Sequence, residues 1–156
     1  MNKYIETRRK VKAVWRVLDK RLPKGYSIPV KCYASIYYLI KAVGEVMGID
    51  YEEAKDIYNH YCDNKTKKTD YIDTKYYNPK DSVKHREECF YCDAFSGSPV
   101  WVACDNVQQH TKNEIAFLLL HEYCHVIFDT NNERRCDLFA TRWVRKLIKE
   151  GLLPEN

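Results

Sequence analysis

The chain has 156 residues, the length of a single domain, since domains typically hold roughly 100–200 residues. Its hydrophobic share of 45% and charged share of 31% exclude a disordered or fibrous protein. No apolar run approaches the roughly 18 residues of a membrane-spanning helix, so we expect no membrane partner. The first 15 residues carry charges but no apolar stretch or cleavage site of a secretory signal, and we predict a cytoplasmic protein.

The net charge of +4 is unevenly distributed along the chain. Residues 1–31 contain ten basic and two acidic residues, a local charge of +8, and the remaining residues sum to −4. A basic end on an acidic body can attract nucleic acid or an acidic partner. A solvated helix face explains the same charges, and both interpretations stay open at this point.

The N-terminal part, residues 1–62, is predicted to be helical. Val11, Val14, Trp15 and Leu18 follow the spacing of an amphipathic helix over residues 3–21. A second helix is predicted from about residue 29 to 47, with Gly48 as its end. The segment 50–53 has the form of a capping box and opens a third helix.

The second half of the chain predicts a hairpin followed by two helices. The segments 89–95 and 99–104 resemble strands, and a short connection with one glycine joins them. A capping box at Thr111 and Glu114 begins a helix that is apolar on almost every side up to Phe128, and the last helix runs from about 133 to 150. The predicted fold class is therefore α+β, with N-terminal helices and a small antiparallel sheet.

The chemistry of the chain is concentrated in His121-Glu-Tyr-Cys-His125, an HExxH sequence. On a helix, the two histidines four residues apart share one face and can bind one zinc ion. Zinc needs a third protein ligand and an open position for water, whose pKa it lowers toward about 7. Glu122 is adjacent to His121 and is predicted to act as the general base. A pair of ordinary core histidines is the alternative interpretation.

The third zinc ligand is expected after the turn that follows this helix. Glu133 and Asp137 lie four residues apart, on one face of the last helix. We assign Glu133 as the ligand and Asp137 as the hydrogen-bond partner that orients a liganding imidazole. Two alternatives stay open: Asp137 or Cys136 is the ligand, or Glu133 only favours the positive end of the helix dipole.

The HExxH motif followed by Glu133-Arg-Arg-Cys-Asp137-Leu-Phe-Ala140 resembles the gluzincin metallopeptidases, and within them the ImmA/IrrE-like group. The resemblance implies a zincin-like fold in which His121, His125 and Glu133 bind Zn2+ and Glu122 is the base. It also implies that strand 99–104 is an edge strand that binds the substrate backbone beside the metal; a plain core strand is the alternative. Residues 86–150 would form the catalytic core of one metallopeptidase domain, residues 1–156.

The predicted function is a zinc-dependent peptidase that cleaves an intracellular protein or peptide substrate, for example in regulation. One rival is a zinc-bearing, non-catalytic binding module whose basic N-terminal helix contacts DNA or a protein partner. Another is a metallohydrolase that acts on a non-peptide bond. A second, structural zinc site would need Cys62, Cys89, Cys92 and Cys104; the alternative is that these thiols are ordinary apolar residues.

Overall fold

Five helices pack with a small three-stranded sheet in the part of the chain that the computed structural model describes, residues 2–57, 90–91, 99–108 and 110–155. The helices are α1 (Lys3–Arg21), α2 (Ile36–Met47), α3 (51–57), α4 (Lys112–Ile127) and α5 (Glu133–Lys149). The strands are β1 (Val30–Tyr33), β2 (Phe90–Tyr91) and β3 (Val100–Ala103). The α+β class predicted from the sequence is confirmed. None of the helices in these residues is long and apolar enough to cross a membrane.

The sheet has the strand order β1-β3-β2 and is mixed. Strands β1 and β3 are parallel, with Val30 opposite Val100, and β2 runs antiparallel to β3 over two residues. The prediction of an antiparallel sheet is therefore wrong for the longest strand pair. The parallel pair was not predicted because β1 lies inside the predicted helix 29–47 and has too few residues to display a strand periodicity. Parallel pairing requires a crossover, and α2 is part of that connection.

Strand β3 is the central strand, with a neighbour on each side. All four of its residues are buried. The expectation that segment 99–104 is an edge strand is therefore wrong, because β1 pairs with one of its edges and β2 pairs with the other at Trp101 and Val102. Its role is that of a core strand beneath the helices.

Side chains of α1 hydrogen-bond to backbone carbonyls at the edge of β1 that is not paired with β3. Trp15 Nε1 donates to the carbonyl of Ile28 at 2.9 Å, and Lys12 Nζ donates to that of Val30 at 2.6 Å. The Tyr4 hydroxyl lies 3.4 Å from the carbonyl of Cys32. Carbonyls two residues apart point to the same side of a strand, so α1 occupies every second carbonyl of this segment. This contact protects an edge that could otherwise pair with another chain.

The main core is organised around α4. Every residue from Asn113 to Val126 is buried, which agrees with the all-round apolar pattern of this segment. Buried residues of α1 and α5, among them Leu18 and Leu147, join the same core cluster. Helix α4 therefore lies at the centre of the molecule, and its histidines are carried into the interior.

Candidate metal centre

The register of α4 is set at its first turn by a complete capping box. The Thr111 hydroxyl accepts from the Glu114 N–H at 3.1 Å, and Glu114 Oε1 accepts from the Thr111 N–H at 3.2 Å. Two turns later, His121 and His125 lie on one face of the helix, with their Nε2 atoms 3.2 Å apart. His121 is 0% exposed and His125 is 3% exposed. The structure thus brings the two motif histidines together in the interior.

A tight turn reverses the chain after α4 and brings α5 back toward the histidines. Asp129 adopts a left-handed conformation with φ of 47°, a region in which aspartate is enriched among non-glycine residues. The Thr130 N–H donates to the carbonyl of His125 at 3.2 Å, which closes the helix end. Asn132 then caps α5 by accepting from the Arg135 N–H at 3.0 Å. Glu133 consequently begins α5 directly beside the histidines.

Glu133 contacts both histidines through the nitrogen atoms that face each other. Its Oε2 lies 2.8 Å from His121 Nε2, and its Oε1 lies 3.0 Å from His125 Nε2. The side chain is 12% exposed, so this carboxylate lies at the margin of the buried site. Asp137 contacts the other nitrogen of His121, Nδ1.

The hydrogen bonds behind the rings fix the tautomers of both histidines. His121 Nδ1 lies 2.7 Å from Asp137 Oδ1, and His125 Nδ1 lies 2.6 Å from the carbonyl oxygen of Thr130. Both partners are acceptors, so each Nδ1 carries a hydrogen, and a ring in its neutral form presents a lone pair at Nε2. Two Nε2 lone pairs and the Glu133 carboxylate therefore converge on one point.

This convergence fits a bound cation. The two Nε2 atoms lie 3.2 Å apart, and each has a Glu133 carboxylate oxygen within 3.0 Å, so their lone pairs repel unless a metal ion or an additional proton lies between them. Zinc bonds of roughly 2.0–2.1 Å in tetrahedral geometry place neighbouring ligand atoms about 3.3 Å apart, close to the separation seen here. The residues present therefore fit a zinc ion.

Glu122 completes the buried group. It is 0% exposed, and His121, Glu122 and His125 each offer a ligand atom within 4.8 Å of the others. These three side chains form a group that can hold a metal ion. The Glu122 carboxylate therefore lies within 4.8 Å of a ring nitrogen of each histidine.

The cysteines form contacts of their own. Cys136 donates a hydrogen bond to Cys124, which lowers the pKa of Cys124 and raises that of Cys136. The Cys136 thiol therefore contacts Cys124 of α4, whereas the Glu133 carboxylate contacts both histidines. Cys104 is paired in the same way with Cys32. The other three candidates for a second zinc site, Cys62, Cys89 and Cys92, lie outside the described residues.

Sequence reasoning misses the backbone partner of the site. The Thr130 carbonyl orients His125, yet backbone carbonyls leave no signature in residue type. The only signal is the position of Thr130 in the predicted turn between two helices.

Comparison with known proteins gives no relative: no family model matches the chain, and neither a curated protein nor a solved structure matches it.

Proposed function

We propose that the chain is a zinc-dependent metallopeptidase of the gluzincin type, with a zincin-like arrangement of its active-site helices. The observation that carries the proposal is the convergence of His121 Nε2, His125 Nε2 and the Glu133 carboxylate. Two histidines and one glutamate are the ligand set of a catalytic zinc, which keeps a fourth position for water or substrate. A resident zinc would polarise the scissile carbonyl and make water acidic enough to attack near neutral pH.

The remaining roles, proton transfer and orientation of the imidazoles, belong to residues of the chain. Glu122 takes the proton of the attacking water and can return it to the leaving amine. Asp137 and the Thr130 carbonyl hold the two imidazoles in the tautomer that leaves Nε2 open to the metal. The buried surroundings exclude bulk water and strengthen each of these polar interactions.

The substitution Glu122→Gln tests this function. Glutamine keeps the size and helix propensity of glutamate but cannot accept the proton, so cleavage should fall by roughly 10²–10⁴-fold. Zinc content, measured by mass spectrometry, and the melting temperature should stay close to those of the wild type. Activity would be followed with a library of internally quenched peptides. The matched control is Glu45→Gln, the same change at an exposed position of α2.

Each outcome of this experiment has a defined meaning. Equal cleavage by wild type and Glu122→Gln contradicts the hydrolytic mechanism. Loss of zinc in Glu122→Gln means that Glu122 is a ligand. A wild type that binds one zinc but cleaves no peptide of the library contradicts the peptidase assignment.

A second candidate is a zinc-bearing binding module without catalysis. The complete burial of Glu122 favours it, because a general base must reach its substrate. The two candidates differ in their requirement for the base: a binding module should keep its function in Glu122→Gln and lose it in Glu133→Ala, which removes a ligand.

A further inference from the structure

The exposed residues of α5 are all cationic. Its six exposed residues are Arg134, Arg135, Arg142, Arg145, Lys146 and Lys149. The only two acidic residues of the helix are Glu133, at the metal centre, and Asp137, which is buried against His121. A solvated helix usually mixes both signs so that neighbouring side chains attract each other. A row of one sign repels itself and is typical of a surface that meets a polyanion.

A groove of about 540 Å³ adjoins this cationic row. Its aromatic wall includes Tyr26, Phe128 and Phe139, whose ring centroids lie 5.7–6.3 Å apart. The Arg135 guanidinium lies 4.5 Å from the centroid of the Phe128 ring. This volume is within the range of small-molecule sites, roughly 300–1,000 Å³, so the groove can take a planar ring.

Cations and aromatic rings alternate along one face of α5. Arg135, Phe139, Arg142 and Lys146 have the i, i+4, i+7, i+11 spacing of a single helical face. Trp143 lies beside this row, with Lys146 Nζ 5.0 Å from its ring centroid. From residue 135 to 149 the row extends about 21 Å, at about 1.5 Å per residue. Glu133 faces the opposite side of the helix, so this face is separate from the metal centre.

The basic residues of α1 contribute less to such a surface than their number suggests. Lys12 donates to the carbonyl of Val30, and Lys10 donates to that of His110 at 2.7 Å. Arg21 forms an ion pair with Glu150, with Nε 2.6 Å from the carboxylate. These three cations are committed to contacts within the fold. The cationic face of α5 is the better candidate for an interaction surface because Arg134, Arg135 and Arg142 line the aromatic groove, whereas no residue of α1 does.

We propose that this face of α5 and its aromatic groove bind single-stranded nucleic acid. Proteins that bind unpaired strands combine a row of cations for the phosphates with aromatic rings for the bases. A duplex keeps its bases stacked inside, and an acidic peptide offers carboxylates without the ring that the groove accommodates. Only an unpaired strand uses both the cationic row, through its phosphates, and the aromatic groove, through its bases. This binding is additional to the proposed peptidase and does not depend on the metal site.

The proposal is tested by fluorescence anisotropy of labelled dT15 and rU15 with the full chain, between 50 and 300 mM salt. The triple variant Arg135→Gln/Arg142→Gln/Lys146→Gln should bind at least tenfold more weakly at 50 mM salt. It should also lower the slope of log affinity against log salt by about 2, since each phosphate contact contributes about 0.7 for single strands. The matched control, Lys31→Gln/Lys41→Gln/Lys55→Gln, removes the same charge from exposed positions elsewhere and should retain binding within about threefold.

A second variant tests the groove separately. Phe139→Leu should weaken oligonucleotide binding roughly tenfold and leave the salt slope unchanged, because stacking carries no charge. Thermal melting identifies any variant that fails to fold. Four results would overturn the proposal: no binding of either oligonucleotide at 50 mM salt, equal loss in the two triple variants, equal affinity for a 15-residue polyglutamate, or tighter binding of a duplex. Binding of both dT15 and rU15, or of one alone, supports it and identifies the sugar that is preferred.

Discussion

His121 Nδ1 lies 2.7 Å from Asp137 Oδ1, and both side chains are completely buried. A carboxylate behind a liganding imidazole fixes its tautomer, holds the ring in place and makes the opposite nitrogen a stronger donor to a metal. Asp137 stands four residues after Glu133, so one face of α5 supplies both the proposed ligand Glu133 and the carboxylate that supports the proposed ligand His121. The position of α5 relative to α4 therefore determines most of the metal site.

Asp137→Asn should weaken zinc binding about 10–100-fold without removing a ligand. The amide can still accept from His121 but carries no negative charge, so the imidazole becomes a weaker donor. Affinity would be measured by competition with a chromogenic chelator. The control is Asp129→Asn, the same change at an exposed position whose left-handed conformation asparagine also tolerates. Equal zinc affinity in the two variants would contradict the orienting role of Asp137.

The capping glutamate of α4 predicts a dependence of stability on pH. Burial acts to raise the pKa of Glu114, but hydrogen bonds with His110 and Thr111 outweigh it and hold the pKa below its ordinary value. A depressed folded-state pKa stabilises the fold at pH values above the unfolded pKa, about 4.3. That contribution is lost as the pH falls through the lower, folded-state value.

Glu114→Gln should therefore be less stable than the wild type at pH 7, and the difference should shrink as the pH falls below about 4.3. Urea unfolding at pH 7, 5 and 3.5, with a chelator present so that the metal site contributes equally, gives the free energies of unfolding. Glu45→Gln on α2 serves as the exposed control. A difference between Glu114→Gln and the wild type that grows toward acid pH would contradict the assigned direction of the shift.

The parts of the fold that the sequence predicts are those with local signals. The ends of α1, α4 and α5 follow from apolar spacing, from the capping box at Thr111, and from Gly151, which has a positive φ of 75°. The pairing of His121, His125 and Glu133 follows from helical period and a short turn. All of these depend on residues close together in the chain, where period and capping chemistry are informative.

The parts that the sequence does not predict depend on distant contacts or on backbone atoms. Strand β1 pairs with β3 about 70 residues away, and four residues before a helix carry too little pattern to reveal it. The central position of β3 could not be predicted without β1.

The contact of α1 with β1 gives the last prediction. Lys12 Nζ donates to the carbonyl of Val30 at 2.6 Å from a partly buried position. Lys12→Met keeps the apolar stem but leaves this carbonyl without its donor, which should lower the free energy of unfolding by about 1–2 kcal/mol. The control Lys20→Met changes an exposed residue of the same helix and should be close to neutral.

Urea unfolding of both variants measures this difference, and light scattering follows their association. Opening a strand edge exposes unpaired backbone groups to other chains, so Lys12→Met should associate at concentrations where Lys20→Met stays dispersed. If the two variants are equally stable and equally dispersed, Lys12 is a surface charge and the edge of β1 is protected without it. If only Lys12→Met has a lower free energy of unfolding, Lys12 stabilises the fold. Its charge then cannot be counted as part of a basic N-terminal surface that contacts DNA.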